Sequence, residues 1–362
     1  MKARSLPRGV EQESRLLPWG VLAPRGFRGK PAPSQKPPSG EDARREQAGC
    51  LLYAILPRDM TTLRTCVFPC AGFGTRFFPA TKVIPKEMLP LVDKPILQYG
   101  IEEALGSGMD KLIVVLSKGK DAILDHFDRT SELERSLQER KKNDLLDEVE
   151  TVSRMADIIS VRQKEALGLG HAVLQAKDAV GREPFAVVLP DDVILADEPC
   201  LLQMRHVFEE TGRPVVALME VSPQETSRYG IVAGNMLKNR RFHITDMVEK
   251  PKVNPPSRYA IIGRYILPPD IFPLLEKTER GAGGEIQLTD ALRELVRTGE
   301  FYGYVFEGKR YDAGEKLGYL KATVDFALRH PALGDDFRSH LKAILKDSDE
   351  DHGQTLRHPR RA

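Results

Sequence analysis

From residue 64 onward, short continuous apolar runs alternate with longer stretches that are apolar on one side only. "RTCVF" (64–68), "KLIVVLS" (111–117), "FAVVLPDD" (185–192), "PVVALMEV" (214–221) and "RYAIIGRYIL" (258–267) are the continuous runs. Runs of this kind fit strands buried on both faces, because a strand wetted on one side would alternate. "DIISVRQ" (157–163) and "FHITDMVEKP" (242–251) complete the predicted strands. Between them, "PILQYGIEEALGSG" (95–108) puts Leu97, Ile101, Ala104 and Leu105 on one helical face, with Pro95 at its start and glycines at its end. "GHAVLQAKDAV" (170–180) and residues 287–298, 314–329 and 334–346 read as further helices. A charge-laced helical pair is expected over 120–155, around "SELERSLQERKKNDLLDEVE". Strands interleaved with helices predict an α/β fold, a mostly parallel mixed sheet with helices on both faces, three layers in all. Such sheets bind ligands beyond the carboxyl ends of their strands, so the chemistry is expected there.

Residues 1–59 lack this pattern. They hold eight prolines, eleven Lys/Arg and six Asp/Glu, with no periodic apolar pattern before the short "LLYAIL". That is too little apolar surface to offset chain entropy, so a disordered Pro/Arg-rich extension is expected. It has no signal-peptide core near its start, and Glu11, Glu13, Glu41, Asp42 and Glu46 argue against a transit peptide. Met60 stands just ahead of the first strand, and the functional protein is expected to begin there. The body is then 60–346, with a polar tail over 347–362.

The leader also carries the positive charge. The chain is +2 overall, yet residues 60–362 hold 43 Lys/Arg against 46 Asp/Glu. A nucleic-acid-binding domain would show a basic face, so nucleic acid is not an expected partner. No run reaches the roughly 18 apolar residues of a membrane span. Cys50, Cys66, Cys70 and Cys200 lack zinc-pair spacing and are too sparse for a disulfide framework. A reducing, cytoplasmic setting is the expectation.

The candidate chemistry starts at "CAGFGTRFFPATKVIPKEM" (70–88), directly behind the first strand. Two glycines, an arginine and two lysines in one loop suit phosphate. No Gly-Lys-Ser/Thr follows to make a Walker A loop, and Phe77 stands where a dinucleotide fingerprint needs a small residue. Pro79 and Pro85 forbid an immediate long helix, so an extended loop is predicted, wrapping its ligand with backbone. Other candidates also fall at strand ends. Gln163 closes "IISVRQ", Gly168 and Gly170 precede the next helix, and Asp191 follows "FAVVLP". Glu249, Lys250 and Pro251 close another strand, and Asp312 follows "GYVFEGKRY". Each has a plainer alternative when taken alone. Asp191 fits a helix N-cap, and Asp312 with Glu315 fits a capping box. Glu249 with Lys250 fits a surface ion pair, and His171 fits a helix start. Their joint occurrence at strand ends is what favours a site.

"AGFGTRFFPATKVIPKEMLPLVDKPILQY" resembles the signature G-x-G-T-R…K-x-x-P-K of the sugar nucleotidyltransferases, and above all that of the bacterial UTP–glucose-1-phosphate uridylyltransferases. The similarity continues through "RQKEALGLGHAV", "LPDD", "YGIV", "VEKP", "AIIGRYIL", "GAGGEIQLTD" and "YDAGEKLGY", covering about residues 62–346. The helical insert with "LGLGHAV" looks like the uridylyl branch rather than the shorter thymidylyl relatives. Two features depart from the family: the leader has no counterpart, and Asp192 stands where a less acidic residue is expected.

The resemblance implies a Rossmann-like nucleotidyltransferase fold in which glucose 1-phosphate attacks the α-phosphorus of UTP and pyrophosphate leaves. It implies nucleotide contacts from Ala71, Gly72, Gly74, Thr75, Gln163 and Gly168, with Gln163 at the uracil edge. Arg76, Lys86 and Lys250 would be the catalytic cations, with Lys82 peripheral. Lys250 would hold the sugar phosphate, Glu249 would accept from sugar hydroxyls, Gly230 and Gly263 would complete the sugar pocket, and Asp191 with Asp312 would bind Mg²⁺. A homodimer or homotetramer is the implied assembly. The alternatives are a pyrophosphorylase for another nucleotide (dTTP or CTP) or sugar, and a non-catalytic subunit that binds nucleotide sugars.

Overall fold

The computed structural model describes residues 63–281 and 284–355. The expected leader, the start at Met60 and the tail beyond 355 lie outside these residues. β1 (Thr65–Pro69) leads into the glycine loop. That loop is a string of three short 3₁₀ turns, Thr75–Phe77, Ala80–Lys82 and Lys86–Met88, rather than an extended segment. Pro79 and Pro85 sit at the entry to the second and third turns. A proline's fixed φ suits the entry to a turn as well as it forbids a helix interior, so the same residues that prevent a long helix start short ones.

A tight hairpin, β2 (Pro90–Leu91) with β3 (Lys94–Pro95), delivers the chain into α1 (Ile96–Gly106), capped by the expected Pro95. After β4 (Lys111–Leu116) come α2 (Ala122–Phe127), α3 (Ser131–Glu139) and α4 (Asn143–Ser153), three short helices where a pair was expected. Next are β5 (Ile158–Arg162), α5 (Leu169–Gln175), α6 (Lys177–Val180), β6 (Phe185–Val188), β7 (Asp192–Leu195) and α7 (Cys200–Thr211). β8 (Val215–Glu220), β9 (Gly230–Met236), β10 (Arg241–Glu249) and β11 (Tyr259–Leu267) follow, then α8 (Ile271–Lys277) and α9 (Leu288–Thr298). β12 (Tyr302–Val305), β13 (Lys309–Asp312), α10 (Lys316–Ala327) and α11 (Gly334–Thr355) close the described chain, α11 passing the predicted end at 346. Among the described residues, no helix is long and apolar enough to cross a membrane.

The main sheet runs β5-β4-β1-β6-β11-β8-β12-β10-β9, and only β11 and β10 point against the rest. The central strands β1, β4 and β6 are apolar almost throughout because alternate residues serve opposite cores. Val67 of β1 packs with Ala172 and Val173 of α5 and Leu292 of α9. Its neighbours Cys66 and Phe68 pack with Leu97 and Ile101 of α1 and Met204 of α7. Helices therefore cover both faces, as predicted.

Register explains how an antiparallel strand serves the site. On one flank of β11, Arg264 pairs with Val188 at the end of β6, but Ala260 pairs with Ile231 of β9. β9 thus takes up the flank that β6 has left. Its first residue, Gly230, pairs with Glu249, which brings the end of β10 beyond the carboxyl end of β6.

A buried ion pair fixes the same corner. Arg264 (1% exposed) donates from Nε and Nη2 to the two oxygens of Glu103 on α1, at 2.9 and 2.7 Å. Glu103 also accepts the Leu201 N–H, and Arg264 Nη1 lies 3.3 Å from Leu189 O, two residues before Asp191. Removing one partner strands the other charge in a dry core. Arg264→Ala is therefore expected to lower unfolding stability by about 3–5 kcal/mol. Urea denaturation checks this, and a loss under 1 kcal/mol would contradict the role of the pair.

Candidate active site

The glycine loop folds back on itself before it faces anything else. Gly74 is left-handed (φ 65°), and a Cβ there would stand 3.1 Å from the Lys86 Cβ. Thr81 Oγ1 donates to Gly74 O at 2.7 Å, tying the first and second turns together. Glu87, buried beside Lys86, accepts from Lys120 Nζ at 2.8 and 3.0 Å and so clamps the third turn from below. Lys86 itself reaches across to Asp191, with Nζ 2.6 Å from Oδ2. Arg76 Nη1 lies 3.4 Å from Gly314 O. Ala71 is buried, whereas Gly72 and Thr75 are exposed and nothing lies within 4 Å of where a Gly72 Cβ would be. That backbone is open to close approach. Lys82 is exposed on the second turn.

The acidic side is built by a two-stranded ribbon. β13 runs antiparallel to β7 with Asp312 directly opposite Asp192, and the Ala313 N–H donates to Asp191 O at 2.7 Å. A Cβ on Gly314 would stand 2.5 Å from Asp191 Oδ2 and 3.1 Å from Asp312 Oδ1. The two oxygens are thus no farther apart than those lengths combined, and only glycine fits between them. Asp192 is committed elsewhere: Oδ2 accepts the Gly263 N–H at 2.9 Å, and Oδ1 accepts from Arg310 Nε at 2.7 Å and from its Nη2. The extra aspartate is thus a partner of Arg310. Neither capping alternative is realised, since a strand follows Asp191 and Glu315 holds the cap position of α10.

The two remaining carboxylates differ in charge balance. Burial pushes the Asp191 carboxyl up, but the charge and hydrogen bond of Lys86 outweigh this and hold it below its ordinary value. Burial and then the charge of Asp192 raise Asp312, against Arg310 Nη2 at 3.7 Å. Among the described residues, no group of three or more His, Cys, Asp or Glu could cage a metal. Asp191 and Asp312 nevertheless offer two hard oxygen donors side by side, the set that magnesium takes when phosphates and water supply the rest. These residues fit such an ion.

Glu249 is held at both oxygens, Oε2 by Thr289 Oγ1 at 2.7 Å and Oε1 by Lys250 Nζ at 2.9 Å. Lys250 has a left-handed backbone (φ 44°), and its side chain is 57% exposed. Gly230 leaves room there, since its Cβ would meet Glu249 Oε2 at 3.2 Å. Gly263 has both polar groups engaged, its N–H by Asp192 and its C=O by Leu189, which leaves the absence of a side chain as its contribution. Gln163 is buried, with Nε2 at 3.2 Å from Gly168 O and 2.9 Å from His171 Nδ1.

An unbroken chain of contacts joins these pieces. Gly168 packs on Glu285 and Ile286, just ahead of α9. Thr289 of α9 bonds Glu249, which borders Gly230. The neighbouring Tyr229 accepts at its hydroxyl from Arg310, which leads to Asp192, Asp312 and Gly314, and so to Asp191, Lys86 and Arg76.

Residues 70–328 match the nucleotidyl transferase family. UTP–glucose-1-phosphate uridylyltransferase 2 of Staphylococcus saprophyticus is 48% identical over 286 residues, 79% of this chain and 99% of its own length. The uridylyltransferase of Bacillus subtilis is 48% identical over 287 residues, again 79% of this chain and 98% of its own. A UTP-bound enzyme from Acinetobacter baumannii superposes with TM-score 0.73 at 39% identity, covering 77% of this chain and 99% of its own. A UDP-glucose pyrophosphorylase complexed with UDP-glucose superposes at 0.68 and 40% identity, covering 74% and 100%. The chain belongs to the UTP–glucose-1-phosphate uridylyltransferase family.

Within that family's frame, sequence reasoning passed over Arg310, Gly314 and Thr289. Arg310 carried a usable signal, since it lies two positions before Asp312 and alternate strand residues share a face. Gly314 and Thr289 lie inside the family motifs "YDAGEKLGY" and "GAGGEIQLTD", but only the fold shows what they touch. Gly314→Ala is expected to push Asp191 off its position and lower turnover by about tenfold to a hundredfold. Steady-state kinetics and thermal melting check this. A loss of melting temperature matching the loss of turnover would make Gly314 a folding residue instead.

Proposed function

We propose that this chain transfers the uridylyl group of UTP to glucose 1-phosphate, giving UDP-glucose and pyrophosphate. The crowding of Asp191 and Asp312 around Gly314, with Lys86 and Arg76 on the same rim, carries this reading. Both reactants are anions, so the protein's work is to neutralise and align them. A phosphate oxygen of glucose 1-phosphate attacks the α-phosphorus in line as the bond to pyrophosphate breaks. No covalent enzyme intermediate is needed, because the attacking oxygen is already ionised.

The nucleotide lies against the backbone of Ala71–Thr75 with its base toward Gln163. Arg76 offers its planar fork to the departing pyrophosphate, and Lys86 swings its ammonium from Asp191 to a phosphate oxygen. Lys250 turns from Glu249 to the sugar phosphate, which leaves Glu249 to accept from sugar hydroxyls. Asp191 and Asp312 would hold Mg²⁺, which supplies positive charge to the α-phosphate and the leaving group.

We further infer a cytoplasmic enzyme, in keeping with Cys66, Cys70 and Cys200, which are buried and unpaired. A homodimer or homotetramer fits the apolar residues exposed on the insert, Leu133 and Leu145, and on α11, Ile344. Pyrophosphate release is expected with UTP plus glucose 1-phosphate and magnesium, and far less with CTP or dTTP or after chelation. Equal rates with another nucleotide would replace the assignment.

Asp191→Ala and Asp312→Ala are each expected to abolish magnesium-dependent release while circular dichroism shows a retained fold. Lys250→Ala should lower turnover by roughly 10²–10³. Near-parental turnover in that folded variant would remove Lys250 from the site.

A further inference from the structure

An amide side chain offers an oxygen and a nitrogen of nearly equal size, and its partners decide which end points where. Gln163 is 5% exposed, and its main-chain N–H extends the β4–β5 pairing by donating to Leu116 O at 2.8 Å. A carbonyl only accepts, so the side-chain atom 3.2 Å from Gly168 O has to be the nitrogen. Gly168 O is itself fixed. It also takes the Ala172 N–H, and the left-handed Gly168 (φ 96°) is wedged so closely against Glu285 and Ile286 that a Cβ would collide.

The second hydrogen of that nitrogen faces His171 Nδ1 at 2.9 Å, which must therefore present a lone pair. The ring hydrogen then sits on Nε2, 3.2 Å from the Gln175 amide, and a half-turn of that amide meets it with oxygen. Both hydrogens of the Gln163 amide are thus used inside the protein. Its Oε1 takes no hydrogen bond among the described residues, yet it is not sealed off: the single buried, unpartnered side-chain polar atom among them is Thr65 Oγ1. Gln163 thus offers an outward acceptor and no outward donor, half of the pair that its residue type allows.

From this geometry we infer that His171 is a positioning residue for base choice, holding the Gln163 amide with its oxygen toward the nucleotide. The inference rests on the reading that Gln163 meets the base of UTP. Uracil carries a hydrogen on N3 and satisfies an acceptor, whereas cytosine presents a bare N3 and is repelled by one. Discrimination built on such a mismatch needs the amide to be unable to turn over. Gly168 alone holds it by one bond, and without His171 the nitrogen can rotate outward and serve cytosine.

The test is the ratio of kcat/KM for UTP to that for CTP, by pyrophosphate release with glucose 1-phosphate, with melting temperatures measured alongside. His171→Leu is expected to lower the ratio about tenfold, the scale of one neutral hydrogen bond. His171→Asn, whose side-chain oxygen can stand where Nδ1 does, should restore most of it. Should His171→Leu fail to fold, His171→Ser takes its place in the comparison. An unchanged ratio in the His171 variants together with a lowered one in Gln163→Ala overturns the inference and leaves the reading of Gln163 standing. An unchanged ratio in Gln163→Ala overturns that reading and the inference with it.

Discussion

Three carboxylates share one corner of this chain, and their mutual repulsion dictates what surrounds them. Asp191, Asp192 and Asp312 come together because β13 pairs with β7 in one register. Burial and the charge of Asp192 raise the Asp312 carboxyl above its ordinary value. Each is answered differently. Asp192 is locked by a nearly buried arginine and a main-chain N–H. Asp191 is met by one lysine that keeps about a quarter of its side chain in contact with solvent. Asp312 has a main-chain N–H and only a distant share of Arg310. Asp312 is therefore the carboxylate left short of positive charge, and a cation beside it and Asp191 would complete the corner.

The fold supplies this corner by two devices that do not follow from a parallel sheet. One is the β7–β13 ribbon, which stands apart from the main sheet and aligns the acidic residues. The other is the change of neighbour along β11, from β6 to β9, which carries Glu249 and Lys250 to the rim although β10 runs the opposite way. Gln163 and Asp191 reach the side beyond the carboxyl ends of the strands, where such sheets bind ligands, by strand direction. Glu249 reaches it by register.

This separates what could be read in the residues from what could not. The buried strands were legible because both faces of the sheet are covered, so β1, β4, β6, β8 and β11 appear as continuous apolar runs. The glycine loop was legible by its two glycines, and its cations were countable. Its three turns were not, because proline carries the same mark whether it ends a helix or begins a turn. β7 and β13 are four residues each, and nothing in "DVIL" or "KRYD" names the other as partner. The meaning of Asp192 was hidden for the same reason, since its partner Arg310 lies 118 positions away. His171 looked like a helix start, and only the positions of Gly168 O and two glutamine amides give its ring nitrogens work.

The choice between lysine and arginine follows the same division of labour. Where a carboxylate has to stay in place, the partner is a guanidinium with two donors on it, as in Arg264–Glu103 and Arg310–Asp192. A planar fork gripping by two bonds resists exchange. Asp191 and Glu249, each with about a quarter of the side chain exposed, are instead met by an ammonium, from Lys86 and Lys250. A compact charge on a flexible stem can leave one anion for another at little cost, and both lysines keep solvent access while their arginine counterparts do not. Lys120–Glu87 is a lysine pair that is fixed, but it lies buried beneath the loop. In this arrangement Asp191 and Glu249 neutralise Lys86 and Lys250 and hold them in position. In the reaction proposed above, the anionic reactants would compete with carboxylates for cations already in place, so Lys86 and Lys250 need not stand as bare charges beforehand.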